Sequence, residues 1–259
     1  MFNIYKGDFN IRINYVANFN FFDNIDTPQK AYWLGFIWAD GYISKRERIV
    51  TNSKKNKTRL EYNLKLALKE SDASHVQKFI NDIDGNYPVH IYNSSGFDRN
   101  NTTTEARAFI TNKYMCSKLY EDYGIIPRRH EVDKIIRAIP ERLYKYFILG
   151  VFDGDGSFTS YHCGRDCKLN VCFGGSEELL RFIENVLITQ NVVSSIGENK
   201  HRKLQERHKG RDGTWRTLPF AGVSQGSKIL RWLYEDSVIY LDRKYEKYKK
   251  LASQNFRAQ

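Results

Sequence analysis

The sequence predicts an α+β protein made of two pseudo-symmetric αββαββα repeats, with their antiparallel sheets joined in a saddle and one helix of each repeat packed at the centre. Three observations predict it. First, two helix-length apolar stretches end alike, one running from Ala31 to Ile43 (AYWLGFIWADGYI) and one from Tyr146 to Phe158 (YFILGVFDGDGSF). Setting Asp40 against Asp155 also aligns Gly35 with Gly150, Ala39 with Gly154 and Gly41 with Gly156. Second, the order of elements after each stretch repeats. Third, Leu60, Tyr62, Leu64, Leu66 and Leu68 alternate with Glu61, Asn63, Lys65 and Ala67, the period of a strand with one buried face.

Residues 1–27 form an Asn- and aromatic-rich N-terminal arm, expected to pack its rings on the body. The first repeat covers 28–127. Thr27 and Pro28 start its first helix as N-cap and first-turn proline. Strands are expected from 42 to 50 and from 59 to 68, around a polar basic turn at 51–58. Glu70, Ser71 and Asp72 open a helix that ends at Gly85. Two more strands follow, at 89–92 and 106–111, and Asn112 and Lys113 start a helix reaching Gly124. The linker, 128–139, holds a short amphipathic helix.

The second repeat, 140–259, opens at Pro140. Its strands are expected at 157–162 and 168–174, and Ser176 caps a helix from 177 to 188. A third strand is expected to begin at 191–196 and a fourth at 215–224, before a helix at 227–236. A charged C-terminal helix is expected to pack through Leu241, Tyr245 and Tyr248. The lag between matched residues shrinks at Phe79-Ile80 against Phe182-Ile183, then recovers at Leu119–Asp122 against Leu233–Asp236. The first repeat therefore carries its longer hairpin early, the second carries it late, and both long segments are basic.

Within each apolar stretch, small residues lie four apart on one helix face, Gly35 with Ala39 and Gly150 with Gly154. That spacing lets two helix backbones approach closely. Such packing brings Asp40 and Asp155 together at two helix C-termini, where free carbonyls and the negative dipole end favour a cation. Gly41 and Gly156 are expected to end the helices in the left-handed conformation. Paired oxygen ligands of this kind suit Mg²⁺. The competing reading is two ordinary buried helices closed by Asp-Gly turns.

Both stretches resemble the motif of the LAGLIDADG homing endonucleases, read from Trp33 to Gly41 and from Ile148 to Gly156. The first copy departs by placing Trp38 where the family often has an acid; the next acid is kept in both copies. The resemblance covers most of the chain and implies a monomeric two-motif endonuclease. Its expected activity is a metal-dependent double-strand break with short 3′ overhangs in a long asymmetric DNA site. It implies metal held by Asp40 and Asp155 with the carbonyls of Ala39 and Gly154, Mg²⁺ being usual and Mn²⁺ an expected substitute. It also implies basic or polar groups around the attacking water, whose nearest positional matches are Lys113, Gln225 and Lys228. The alternative is an intron RNA maturase or a non-cleaving nucleic-acid-binding regulator of the same fold.

Composition agrees with a polyanionic partner: 259 residues carry a formal net charge of +11. On exposed strands and hairpins the candidate contacts to double-stranded DNA are Lys45, Arg46, Arg48, Lys54, Lys55, Lys57, Arg59, Lys65 and Arg107. In the second repeat they are Arg165, Lys168, Lys200, Arg202, Lys203, Arg207, Lys209, Arg211 and Arg216. Arginine and lysine read guanine edges, although most such contacts serve phosphates. The sequence has no long uncharged apolar run and no signal-peptide core, so an intracellular protein, cytoplasmic or organellar, with no membrane partner is expected. The splice-junction residues of inteins are not recognised at its ends, so a free-standing or intron-encoded protein is expected. Cys116, Cys163, Cys167 and Cys172 show no Cys-x-x-Cys spacing. Free thiols are expected ahead of a zinc site using Cys163, Cys167, His201 or His208.

Overall fold

Why the two apolar helices lie at the centre is plain from their faces. Helix α1 (Pro28–Asp40) buries every residue from Ala31 to Trp38, and α5 (Tyr144–Asp155) buries Phe147 to Asp153. A helix apolar all round has no solvent face and must be enclosed. The computed structural model describes residues 14–52, 55–95, 102–127, 130–163, 166–197, 200–206 and 215–255. In it the two helices pack directly on each other. A Cβ added to Gly150 would sit 2.1 Å from the Tyr32 carbonyl oxygen, and one added to Gly35 would sit 2.1 Å from that of Phe147.

The first repeat continues as β1 (Gly41–Asn52), β2 (Lys55–Lys69), α2 (Ala73–Asp82), β3 (His90–Ser95), β4 (Thr102–Thr111) and α3 (Lys113–Ser117), the last extended by a π-helical turn to Asp122. A linking helix α4 (Val132–Ala138) leads to α5. Then come β5 (Ser157–Cys163), β6 (Asp166–Gly175), α6 (Glu177–Thr189), β7 (Gln205–Glu206), β8 (Arg216–Ala221), α7 (Val223–Tyr234) and α8 (Asp242–Asn255). Two antiparallel sheets result, ordered β1-β2-β4-β3 and β5-β6-β8-β7. Thr27, Asn112 and Ser176 cap α1, α3 and α6 by accepting from the backbone N–H three residues on, at 3.3, 2.8 and 3.4 Å.

Each sheet has one helix-covered face. Tyr62, Leu64, Leu66 and Leu68 of β2 and Ala106, Ala108 and Ile110 of β4 point into the core, as do Leu169, Val171 and Phe173 of β6. The opposite face of each sheet carries polar and charged side chains together with the exposed rings of Tyr42, Tyr92 and Phe109 in the first and Tyr161 in the second. The N-terminal arm is tied to the edge of the first repeat: Asn18 N–H donates to Ile83 O at 2.6 Å, and Phe21 and Phe22 are buried. Residues 1–13 lie outside the described residues.

Several expectations are corrected. The first hairpin has no eight-residue turn: β1 runs to Asn52 and β2 starts at Lys55, the basic residues extending the ladder itself. Residues 191–196 form turns and not a strand; the short partner of β8 is β7. β8 ends at Ala221, where Gly222 takes φ 110° and starts α7 early. Gly41 and Gly156 are extended, with φ −81° and −82°, and not left-handed. They are glycines for space. A Cβ on Gly41 would meet Ile37 O at 2.5 Å, and one on Gly156 would meet the Phe152 ring at 2.2 Å. Cys116 is a buried free thiol, and the Cys172 thiol donates to Phe173 O at 3.7 Å; the side chains of Cys163 and Cys167 and all of His208 lie outside the described residues.

Candidate active site

Asp40 and Asp155 are the last residues of α1 and α5, so the close helix contact delivers both carboxyls to one place. Gly154 makes room there: a Cβ on it would lie 2.4 Å from the Ala39 Cβ and 3.2 Å from Asp40 Oδ2. Burial pushes Asp40 up to about 6, against the pull of Lys244 and Arg243. Burial, and then repulsion from Asp40, push Asp155 up to about 8. Two partly buried acids that resist ionising together form a site short of positive charge.

The arrangement fits a hard divalent cation. Both acids offer oxygen, and the Ala39 and Gly154 carbonyls have no helical N–H four residues ahead, because Ile43 and Phe158 already belong to strands. Among the described residues no group of three or more His, Cys, Asp and Glu gathers as a metal cluster, so the pair with its carbonyls is the candidate. Asp40 and Gly154 open onto a cleft of about 670 Å³ whose wall includes Leu68, Asp72, Glu105 and Arg243.

Behind this pair lies a buried polar network. Asp153, at the position matched by Trp38 in the first copy, is fully enclosed. Its carboxylate accepts from Tyr32 Oη at 2.9 Å, Tyr234 Oη at 2.8 Å and the Leu241 N–H at 2.7 Å. Burial pushes its pKa up, while Lys244 and these donors stabilise the anion. The Lys244 ammonium, 6% exposed, donates to the carbonyls of Phe152, Asp153 and Gly156 at 2.5, 2.8 and 2.6 Å. It thus caps the C-terminus of α5 with a cation. His75 Nε2 stands 2.9 Å from Tyr32 Oη. Since Tyr32 gives its own proton to Asp153, that nitrogen carries the hydrogen. Trp38 packs instead on His130, ring centroids 4.5 Å apart.

Solved structures place the architecture. The LAGLIDADG homing endonuclease I-GzeII in complex with DNA target matches with a TM-score of 0.53 at 12% identity, over 90% of this chain and 91% of its own. I-LtrWI bound to target DNA matches at 0.54 and 11%, over 87% and 90%. The meganuclease I-SmaMI bound to uncleaveable DNA matches at 0.54 and 15%, over 89% and 91%. This chain has the LAGLIDADG homing-endonuclease fold. No protein-family model matches the sequence, and no curated protein does either. No described helix is long and apolar enough to cross a membrane.

In this LAGLIDADG fold the free sheet faces carry Arg46 and Arg48 of β1, Lys57, Arg59 and Lys65 of β2, Arg107 of β4 and Lys168 of β6, by alternation from the buried positions. Lys45 does not belong with them. It faces the helix side, 3.0 Å from Glu121 and over the rings of Tyr62 and Tyr120. Arg202 is likewise withdrawn: it pairs with buried Glu184 at 3.3 Å, donates to Ser194 O at 2.7 Å and lies over Phe220. Arg216 has the parity of core-facing Leu218 and sits 3.4 Å from Glu206. Lys200 and Lys203 are exposed. Lys55 begins β2 opposite Asn52, while Lys54, Arg165, Arg207, Lys209 and Arg211 lie outside the described residues.

Lys113 is exposed at the start of α3. Gln225 and Lys228 line, with Val192, Val193 and Ser224, a separate cleft of about 260 Å³ that includes neither motif acid. Sequence reasoning missed Asp153 and Lys244. A signal existed for both. Residues two apart do not share a helix face, so Asp153 and Asp155 had to point differently. Leu241, Lys244 and Tyr248 are spaced three and four apart, which puts the lysine on the packed face of α8.

Proposed function

We propose that this protein is a site-specific homing endonuclease that makes metal-dependent double-strand breaks in a long asymmetric DNA target, leaving short 3′ overhangs. The observation that carries the reading is the meeting of Asp40 and Asp155 at the ends of two touching helices, between two sheets whose free faces bear cations. The DNA-bound state of the similar structures supports duplex DNA as the partner, and two unlike repeats in one chain support a monomer acting on a non-palindromic site.

Asp40 and Asp155, with the Ala39 and Gly154 carbonyls, would hold Mg²⁺ or Mn²⁺. Bound there, the metal would supply charge neutralisation at the phosphate and a water of lowered pKa. The protein's own part is placement. Gly35 and Gly150 set the spacing of the acids, Gly154 keeps the space between them open, and Lys244 holds the α5 terminus. Arg46, Arg48, Arg59 and Lys65 hold and orient the duplex through phosphates and base edges.

The test is selection of cleaved molecules from a randomised duplex library with Mg²⁺, in parallel with Asp40→Asn and Asp155→Asn. One long motif cut by the native protein and by neither variant is expected. A motif bound but never cut with Mg²⁺ or Mn²⁺ would replace nuclease by a non-cleaving regulator or intron maturase. Binding of RNA in place of any duplex would remove the DNA assignment.

A further inference from the structure

The two halves of the first sheet's free face differ in chemistry. Its β1-β2 half is charged, with Arg46, Arg48, Arg59 and Lys65. Its outer half, β4 and β3, is aromatic. Phe109 and Tyr92 are 42% and 39% exposed and stand edge to face, ring centroids 6.3 Å apart. Together with Tyr15, Tyr87, His90 and Thr111 they line a cleft of about 440 Å³. Tyr15 is stacked on Tyr87 at 5.1 Å and is held by the arm, where Val16 N–H donates to Asn86 Oδ1 at 2.8 Å.

Within β4 and β3 the side chain best suited to read guanine is engaged elsewhere, and the neighbouring cation on this face is Lys65 of β2, opposite Phe109. The Arg107 guanidinium lies over the Tyr92 ring at 4.9 Å and pairs with Glu105 at 2.9 Å. Thr111 Oγ1 donates to Asn63 Oδ1 at 2.6 Å. His90, its ring 6.0 Å from that of Tyr92, is the polar member. An apolar patch this exposed, on the face that would meet a ligand, marks recognition more than core packing. The one apolar group on the major-groove edge of a base pair is the thymine 5-methyl.

Resting on the duplex-DNA reading above, we infer that the Phe109–Tyr92 face is a thymine-reading site that receives 5-methyl groups in the outer part of one half-site. β4 and β3 lie two and three strand spacings from β1, about 10 to 14 Å. At 3.4 Å per base pair that is roughly three to four pairs out from the strand that follows Asp40.

The experiment takes the selected target and replaces each outer thymine by deoxyuridine, which removes only the methyl. Affinity should fall roughly fourfold for each methyl that is buried, the equivalent of about 0.8 kcal/mol. Phe109→Ser, at an exposed position, should keep its circular dichroism and bind more weakly, and it should no longer distinguish uracil from thymine. Outer positions that accept every base, a deoxyuridine scan without effect, or an unchanged uracil penalty in Phe109→Ser would each overturn the inference. Failure to bind any duplex would instead overturn the DNA reading on which it rests.

Discussion

Asp40 and Asp155 are costly residues while no cation lies between them. Their pKa values, about 6 and about 8, stand above the ordinary 3.8. The folded protein therefore holds more protons than the unfolded chain between about pH 4 and 8. Stability of the metal-free protein falls as pH rises through that window. Asp155→Asn removes the penalty, so with chelator at pH 8.5 its Tm should exceed the native value by about 2–4 °C for each kcal/mol relieved. The difference should shrink towards pH 5. A less stable variant at pH 8.5 would contradict the electrostatics described. His75 and His130 act with the opposite sign. Burial holds them down to about 3 and about 4, so both lose stability as pH falls below the ordinary 6.5, and the native-minus-variant difference isolates the acid pair. The acids and their pairing were legible from the motif. Their environment was not, because it depends on Lys244 and Arg243, which are distant in sequence and close only after α8 docks.

At the scale of the element, the α1–α5 contact is set by backbone and not by side chains. Gly150→Ala would place a methyl against the Tyr32 carbonyl and 2.7 Å from the Phe36 nitrogen, neither of which can turn aside. Overpacking of this kind costs about 1–3 kcal/mol, occasionally more, and the helices must separate to relieve it. Urea denaturation should show a loss at or above the upper end, with cleavage reduced as the acids move apart. Helix α8 is a second device of this scale. Asp242 and Arg243 pair with Lys78 and Asp72 of the first repeat at 2.5 and 2.8 Å, while Lys244 and Lys247 donate to carbonyls of the second. Lys244→Met leaves the buried carbonyls of Phe152, Asp153 and Gly156 without their donor and takes a stabilising charge from buried Asp153, so it should cost about 1–3 kcal/mol or more. Adding Asp153→Asn should return part of it, since the two changes are coupled. An additive double variant would show that the two charges do not interact. The helix itself was legible from its charge and aromatic spacing. Its clamp between repeats was not, because ion pairs between residues 164 and 171 positions apart leave no local pattern. The helix and sheet order was recovered from period and caps, whereas 191–196 carried strand-like residues that the fold uses as turns.

For the whole molecule, the net charge of +11 is placed against the stability of the unbound protein. In the β1-β2 ladder Arg48 lies directly opposite Arg59, and like charges so placed repel. Glu61 relieves Arg48 from the next position at 3.2 Å, which leaves Arg59 exposed with its charge uncompensated by that pair. The acid pair and this basic pair share one logic, since each is a repulsion that a ligand of opposite charge removes: a cation for the first, a polyanion for the second. Arg59→Gln should therefore act in opposite directions on two measurements. The free protein should gain a few tenths of a kcal/mol, within the cross-strand range of about 0.2–1. Duplex affinity should fall, and the slope of log affinity against log salt should become shallower by about one unit, the signature of one lost phosphate contact. Lys45, equally basic but paired with Glu121 on the helix side, is the internal control. Lys45→Gln should leave the slope unchanged and destabilise the fold. If both variants altered the slope alike, the sorting of cations by sheet face would fail, and with it the assignment of the free face as the surface that meets DNA.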